Sequence, residues 1–176
     1  MNIVLTGYRC SGKTTVGKIL AGNLGRRLVD TDRMIEKRVG NSIEGFVSVN
    51  GWEKFREIER EIVADISSKD NMIISTGGGV VTEPENVTNL RRNGWVVWLH
   101  AAPQTIMDRM KKDERAGGAR PSLTGRGACS EIEEVLNERN KWYAGSCDHR
   151  LSTDDVSPFE AAEAITRKLR AELGEG

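Results

Sequence analysis

The stretch Gly7-Tyr8-Arg9-Cys10-Ser11-Gly12-Lys13-Thr14 has the pattern G-x-x-x-x-G-K-S/T, with the apolar run Ile3-Val4-Leu5 before it and a helical pattern after it. A loop of this kind turns successive backbone N–H groups inward around a polyphosphate. Lys13 adds positive charge for the β and γ oxygens, and Thr14 offers a hydroxyl to Mg²⁺. Phosphate then sits at the start of the following helix, where unpaired N–H groups and the helix dipole favour an anion. Gly7, Ser11, Gly12, Lys13, Thr14 and Thr15 are therefore candidate nucleotide contacts.

Three further groupings could carry chemistry. Asp30-Thr31-Asp32 closes an expected strand and opens a helix, which puts both carboxylates at the carboxyl edge of the sheet, where ligands of open α/β sheets bind. Such a pair also serves as a helix cap, and its neighbourhood with the phosphate loop favours a functional role. Ser75-Thr76-Gly77-Gly78-Gly79 follows another expected strand; consecutive glycines cost backbone entropy and allow close approach of a ligand, a flexible turn being the plainer reading. Arg56, Arg120 and Arg139 are candidate anion contacts, Arg120 preceding Pro121 in a segment from which a guanidinium could swing onto a transferring phosphoryl group. Taken singly, each is more readily a solvated surface charge. His100 and His149 have no metal-ligand partner at useful spacing and are expected to be structural.

Helical patterns alternate with short β-rich runs, the signature of βαβ crossovers and a mainly parallel sheet. Strands are predicted at Asn2–Thr6, Arg27–Asp30, Met72–Ser75, Trp95–His100 and Arg150–Ser152. Helices are predicted near Lys13–Leu24, Asp32–Val39, Trp52–Ser67, Pro84–Asn93, Pro103–Lys111, Glu131–Tyr143 and Pro158–Leu173. In the third, Phe55, Ile58, Ile62, Val63 and Ile66 follow helical spacing. Asn41–Phe46 suggests an inserted helical piece that could wall a cleft, begun by an Asn or Ser cap. Between Asp113 and Ser130, glycines and arginines with almost no large apolar residue cannot build a core, and this stretch is expected to be a mobile lid.

Composition sets outer bounds. A chain of 176 residues is expected to form one domain with a single core. Lys plus Arg and Asp plus Glu each number 26, which removes the overall positive field of a non-specific nucleic-acid binder. Cys10, Cys129 and Cys147 are odd in number and widely spaced, so a reducing compartment fits better than a disulfide framework or metal cage. A strand beginning at once after Met1 and the lack of a long apolar run make a signal peptide or membrane span unexpected, and the cytoplasm is the expected location.

Taken together, Gly7 to Thr15, Asp30-Thr31-Asp32-Arg33-Met34-Ile35-Glu36, Phe55-Arg56-Glu57-Ile58-Glu59, Gly77-Gly78-Gly79, Arg120-Pro121 and Arg139 closely resemble the shikimate kinases, in order and approximate spacing over nearly the whole chain. The resemblance implies a P-loop kinase fold: a five-stranded parallel sheet flanked by helices, with a substrate-binding segment near 31–60 and a lid near 113–130. It implies ATP- and Mg²⁺-dependent phosphorylation of the shikimate 3-hydroxyl in aromatic amino-acid biosynthesis, by a monomer with no nucleic-acid or membrane partner. By the same resemblance Asp32 holds the accepting hydroxyl, Arg56 and Arg139 grip the shikimate carboxylate, and the backbone of Gly77, Gly78 and Gly79 lines the pocket. Lys13 and Arg120 share the transferring phosphate, Asp30 acts on the Mg²⁺ shell through water, and Arg109 packs against adenine. Trp52, Ser122 and Lys141 depart from the family's usual E-x-x-F-R, R-P-L-L and R-x-P-x-Y patterns. A gluconate-type kinase would share the loop and sheet without needing the Asp32, Arg56, glycine and Arg139 set. A nucleotide-sensing module without transfer chemistry would not need Lys13, Asp32 and Arg120 together.

Overall fold

The computed structural model describes residues 1–115 and 128–174. Five strands, β1 (Asn2–Thr6), β2 (Arg27–Asp30), β3 (Met72–Ser75), β4 (Gly94–His100) and β5 (His149–Ser152), form one parallel sheet in the order β2-β3-β1-β4-β5. The helices are α1 (Lys13–Leu24), α2 (Thr31–Val39), α3 (Ile43–Ser67), α4 (Pro84–Arg92), α5 (Pro103–Arg115), α6 (Ala128–Ser146) and α7 (Pro158–Leu173). The central strand β1 is flanked by β3 and β4, so the chain reverses direction across the sheet there. A crevice at the carboxyl ends of the strands follows from that reversal.

Strand alternation sorts the core into two layers. Ile3, Leu5, Ile73, Trp95, Val97 and Leu99 face α1 and α7, meeting Val16, Leu20, Ala161, Ala162, Ile165 and Leu169. Val4, Ile74, Val96 and Trp98 point the other way, onto Val63, Ile66, Leu90 and Tyr143 of α3, α4 and α6. At roughly 25 cal/mol per Å² of apolar surface, these two layers supply most of the driving force for folding. Asn2 anchors the opposite end of the sheet: its buried amide donates to Lys69 O at 2.8 Å and accepts from Met72 N at 3.0 Å.

Helix ends follow local chemistry. Asp30 caps α2 by accepting from Asp32 N and Arg33 N, and α2 ends at Gly40, whose left-handed φ of 67° lets its N–H reach Glu36 O. Ser157 and Glu160 form a reciprocal capping box at the start of α7, with Pro158 just inside it. The helical piece expected near Asn41–Phe46 is larger than predicted. It begins at Ile43, capped by Ser42, and joins the long helix at Gly51, whose φ of 79° and ψ of 168° break the helix into two arms. α6 starts earlier and ends later than expected, and a 3₁₀ turn at Val80–Thr82 has no signature in the expected pattern. Among the described residues no helix is long and apolar enough to cross a membrane. Arg120, Ser122 and most of the expected lid lie outside the described residues.

Candidate active site

The phosphate loop joins β1 to α1 beneath the strand ends. A Cβ on Gly7 would lie 2.2 Å from Leu99 O and 2.8 Å from Ser11 Oγ, so only glycine lets the loop pass this close to β4. Cys10 adopts a left-handed φ of 60°, an uncommon conformation for a residue with a side chain. Lys13, only 8 % exposed, donates from Nζ to Gly7 O at 2.8 Å and Tyr8 O at 2.7 Å, which lays its ammonium along the loop. A cavity of about 460 Å³ opens on the loop and is lined by Ser11, Gly12, Lys13, Thr14 and Thr15. Gly7 does not line it; its part is to admit the turn and hold Lys13.

Thr14 stands at the junction with β2 and β3. Its Oγ1 donates to Asp30 Oδ2 at 2.9 Å and lies 3.3 Å from Ser75 Oγ. Asp30 therefore has two tasks: Oδ1 caps α2, and Oδ2 faces Thr14. On the other side, Arg109 of α5 donates to Cys10 O at 3.3 Å and to Thr153 Oγ1 at 2.9 Å, and also bonds Thr153 O. Thr153 in turn lies within hydrogen-bond distance of Ser11 O and His100 O. Arg109 thus fastens the phosphate loop to the β5–α7 connection, whose Val156, Ser157 and Pro158 close the far end of the cavity.

A second cavity, about 350 Å³, lies between α2, the two arms of α3 and the triple glycine. Asp32, Arg56, Gly77, Gly78, Gly79 and Arg139 all line it, although they are drawn from four separate parts of the chain. The glycines are needed for the close approach of these side chains: a Cβ on Gly77 would sit 2.6 Å from Asp32 Oδ1, and one on Gly79 would sit 2.2 Å from Arg56 Nη2. The expectation of close approach by a ligand is thereby extended to the protein's own side chains. Gly77 N also donates to Thr31 Oγ1 at 2.9 Å, locking the turn to α2.

Arg56 pairs through Nη1 with Glu59 Oε2 at 2.5 Å, one turn along α3. Glu59 is 1 % exposed; burial pushes its carboxyl above the usual range, and the Arg56 guanidinium opposes that shift. The pair anchors a cation whose guanidinium also lies 5.7 Å from the Trp52 ring centre and 5.2 Å from that of Phe55. Trp52 meets Phe55 edge-on with ring centroids 5.4 Å apart. The departure from glutamate at Trp52 thus exchanges an acidic neighbour of Arg56 for an aromatic one. Lys141 instead lies over the Trp142 ring, 5.3 Å from its centre.

The two cavities share Arg9, Thr14, Asp30, Asp32 and Gly78 as a common wall. Arg9, Glu59, Thr31, Ser75, Tyr143 and Thr153 have no role that the sequence alone assigns. Glu59 is visible there as the last residue of the F-R-x-x-E run, and its i,i+3 relation to Arg56 is the signal that could have found it. Arg109 does reach the nucleotide-side cavity, and its partners are the loop and Thr153.

A family model of shikimate kinase matches residues 9–170. The shikimate kinase of Caldicellulosiruptor bescii is 43% identical over 164 residues, covering 93% of this chain and 92% of its own. That of Symbiobacterium thermophilum is 41% identical over 175 residues, with 99% of both chains covered. Among solved structures, shikimate kinase from Acinetobacter baumannii in complex with shikimate superposes with a TM-score of 0.90 at 28% identity, covering 97% of this chain and 93% of that one. The Aquifex aeolicus shikimate kinase gives 0.83 at 30% identity with both chains fully covered. A parallel sheet in this strand order, a loop built for polyphosphate beside an arginine-lined cavity, and full-length identity at this level have one common account: the chain belongs to the shikimate kinase family.

Proposed function

We propose that, in phosphorylating shikimate with ATP, this chain seats the polyphosphate in the loop cavity and shikimate between α2, α3 and the triple glycine. The shared wall of the two cavities carries this reading, because it sets donor and acceptor on either side of Thr14, Asp30, Asp32 and Gly78. Arg56 and Arg139 hold the carboxylate, their planar forks being suited to bidentate recognition. Asp32 orients the 3-hydroxyl and accepts its proton as the oxygen attacks the γ-phosphorus. Lys13 leaves its loop carbonyls for the transferring phosphoryl oxygens, a role it shares with Arg120. Gly7, Ser11, Gly12 and Thr15 shape and line the nucleotide side, with Arg109 supporting the adenine end.

The Thr14 and Asp30 oxygens fit a hard cation such as Mg²⁺, the carboxylate acting through water. Among the described residues no group of three or more His, Cys, Asp or Glu is placed to hold a metal ion. When bound, Mg²⁺ neutralises charge on the β and γ phosphates. The protein works as one domain, as a monomer in the cytoplasm, supplying a step of aromatic amino-acid biosynthesis.

An ADP-release assay over a panel of polyols and hydroxy acids, gluconate included, tests the substrate. Turnover on shikimate well above all others is expected; preference for gluconate, or no turnover at all, overturns the reading. Arg56→Ala and Arg139→Ala should each raise KM for shikimate about 10- to 100-fold, the equivalent of a lost charge-assisted hydrogen bond, and leave KM for ATP within about twofold. A variant that still strongly prefers shikimate over its carboxylate-reduced analogue excludes that arginine as the main anchor.

Gly79→Ala gives an independent check on the same pocket. The added methyl would lie 2.2 Å from Arg56 Nη2, so the guanidinium must shift and disturb its pairing with Glu59. A loss on the order of 10²-fold in kcat/KM for shikimate is expected, with thermal stability close to wild type, since displacing a binding group by about 1 Å has that effect. Unchanged shikimate kinetics would show that Arg56 does not bind where the structure holds it.

A further inference from the structure

The three glycine carbonyls of the 77–79 turn are satisfied in different ways. Gly77 O accepts from Val80 N at 3.3 Å, and Gly79 O accepts from Thr82 N at 3.1 Å and from Thr82 Oγ1 at 2.8 Å, all within the turn. Gly78 O is held from outside: Arg139 Nη1 donates to it at 3.2 Å, and the Tyr143 hydroxyl donates to it as well. Arg139 and Tyr143 are four apart on α6, so one helix face presents both donors to one oxygen. Their freedom differs. Tyr143 has no exposed surface and its ring stacks on Trp98, with centroids 5.6 Å apart and planes 18° apart. Arg139 is half-buried, with its fork in the substrate cavity.

We propose that Tyr143 is a positioning residue for the acceptor site, holding the Gly78 carbonyl so that Arg139 can leave it for the shikimate carboxylate. This rests on the reading of Arg139 given above. A guanidinium that must serve both the carbonyl and the substrate loses a hydrogen bond at each binding event. With Tyr143 in place the carbonyl keeps a partner, the turn keeps its shape, and the cation is released to the ligand. Burial pushes the phenol well above its ordinary range, so the hydroxyl remains a donor throughout the working pH. The R-x-x-x-Y spacing then has a physical reason, one residue that binds and one that frees it.

Tyr143→Phe should raise KM for shikimate about tenfold, while kcat and KM for ATP stay within about twofold, because the loss falls on the binding of one substrate. 4-Aminophenylalanine at position 143, which retains a donor on the same ring, should restore a KM within about twofold of wild type. In an Arg139→Ala background the Phe substitution should add nothing further to KM, since no arginine remains to be released. Unchanged KM in the Phe variant, equal impairment by Phe and 4-aminophenylalanine, or full additivity with Arg139→Ala overturns the proposal. If Phe does not give folded protein, 4-fluorophenylalanine, similar in volume to tyrosine and lacking a donor, takes its place with the same outcomes. A flat response to Arg139→Ala alone would instead overturn the underlying reading of Arg139, and this one with it.

Discussion

Lys13→Ala is expected to lower kcat by about 10³-fold, the upper range for removing one charged donor from a developing transition-state charge. The lysine is held inside the loop by Gly7 O and Tyr8 O, at hydrogen-bond lengths that leave its ammonium beside the cavity. Those carbonyls hold the ammonium at the cavity lining, where phosphate oxygens arrive. The apolar layers against the sheet do not include it, and the variant should unfold within a few degrees of wild type. Single-turnover measurements on purified protein separate this loss from weaker ATP binding. Near-normal turnover would remove the loop from the transfer step.

Much of the fold was legible because the inner strands β1, β3 and β4 are buried apolar runs. β1, β2 and β3 run between the residues expected of them, and α1 and α7 likewise, each bounded by a glycine, a cap or a proline. The two arms of α3 were harder to join. A Cβ at Gly51 would meet nothing within 4 Å, so the residue's role is backbone direction, and hydrophobic spacing carries no record of a turn that keeps helical residues on both sides. The site was legible in its ligands and not in their support. Arg56 and Arg139 were identifiable as cations in a recurring pattern, whereas the partners they meet, the buried carboxylate of Glu59 for Arg56 and the Gly78 carbonyl for Arg139, depend on tertiary packing. Arg109 shows the same limit: its i,i+99 bond to Cys10 O has no counterpart in local sequence.

The triple glycine shows why such support is hard to infer. Its composition announces a backbone that something approaches closely, without saying what. In the folded chain the answer is Asp32 at Gly77 and Arg56 at Gly79, two charged groups of opposite sign brought to one turn. Any side chain on Gly77 or Gly79 would meet one of these charged groups, so the turn has to be backbone alone.

Asp32→Asn is expected to reduce kcat by about 10²- to 10⁴-fold, the usual span for a positioned general base, and to leave ATP affinity within about threefold. The substitution preserves shape, so the tight fit against Gly77 persists. It also leaves the helix start intact, because the cap of α2 is Asp30, with Asp32 contributing only a backbone N–H to it. The pairing of Arg56 with Glu59 does not involve Asp32, so KM for shikimate should move little. What the amide cannot do is accept the hydroxyl proton as the oxygen attacks phosphorus. Steady-state kinetics with direct titration of ATP binding gives both quantities on one preparation. Parallel losses of ATP affinity and turnover would assign Asp32 to the nucleotide side of the shared wall, and wild-type turnover would leave the proton without an acceptor among the residues of the site.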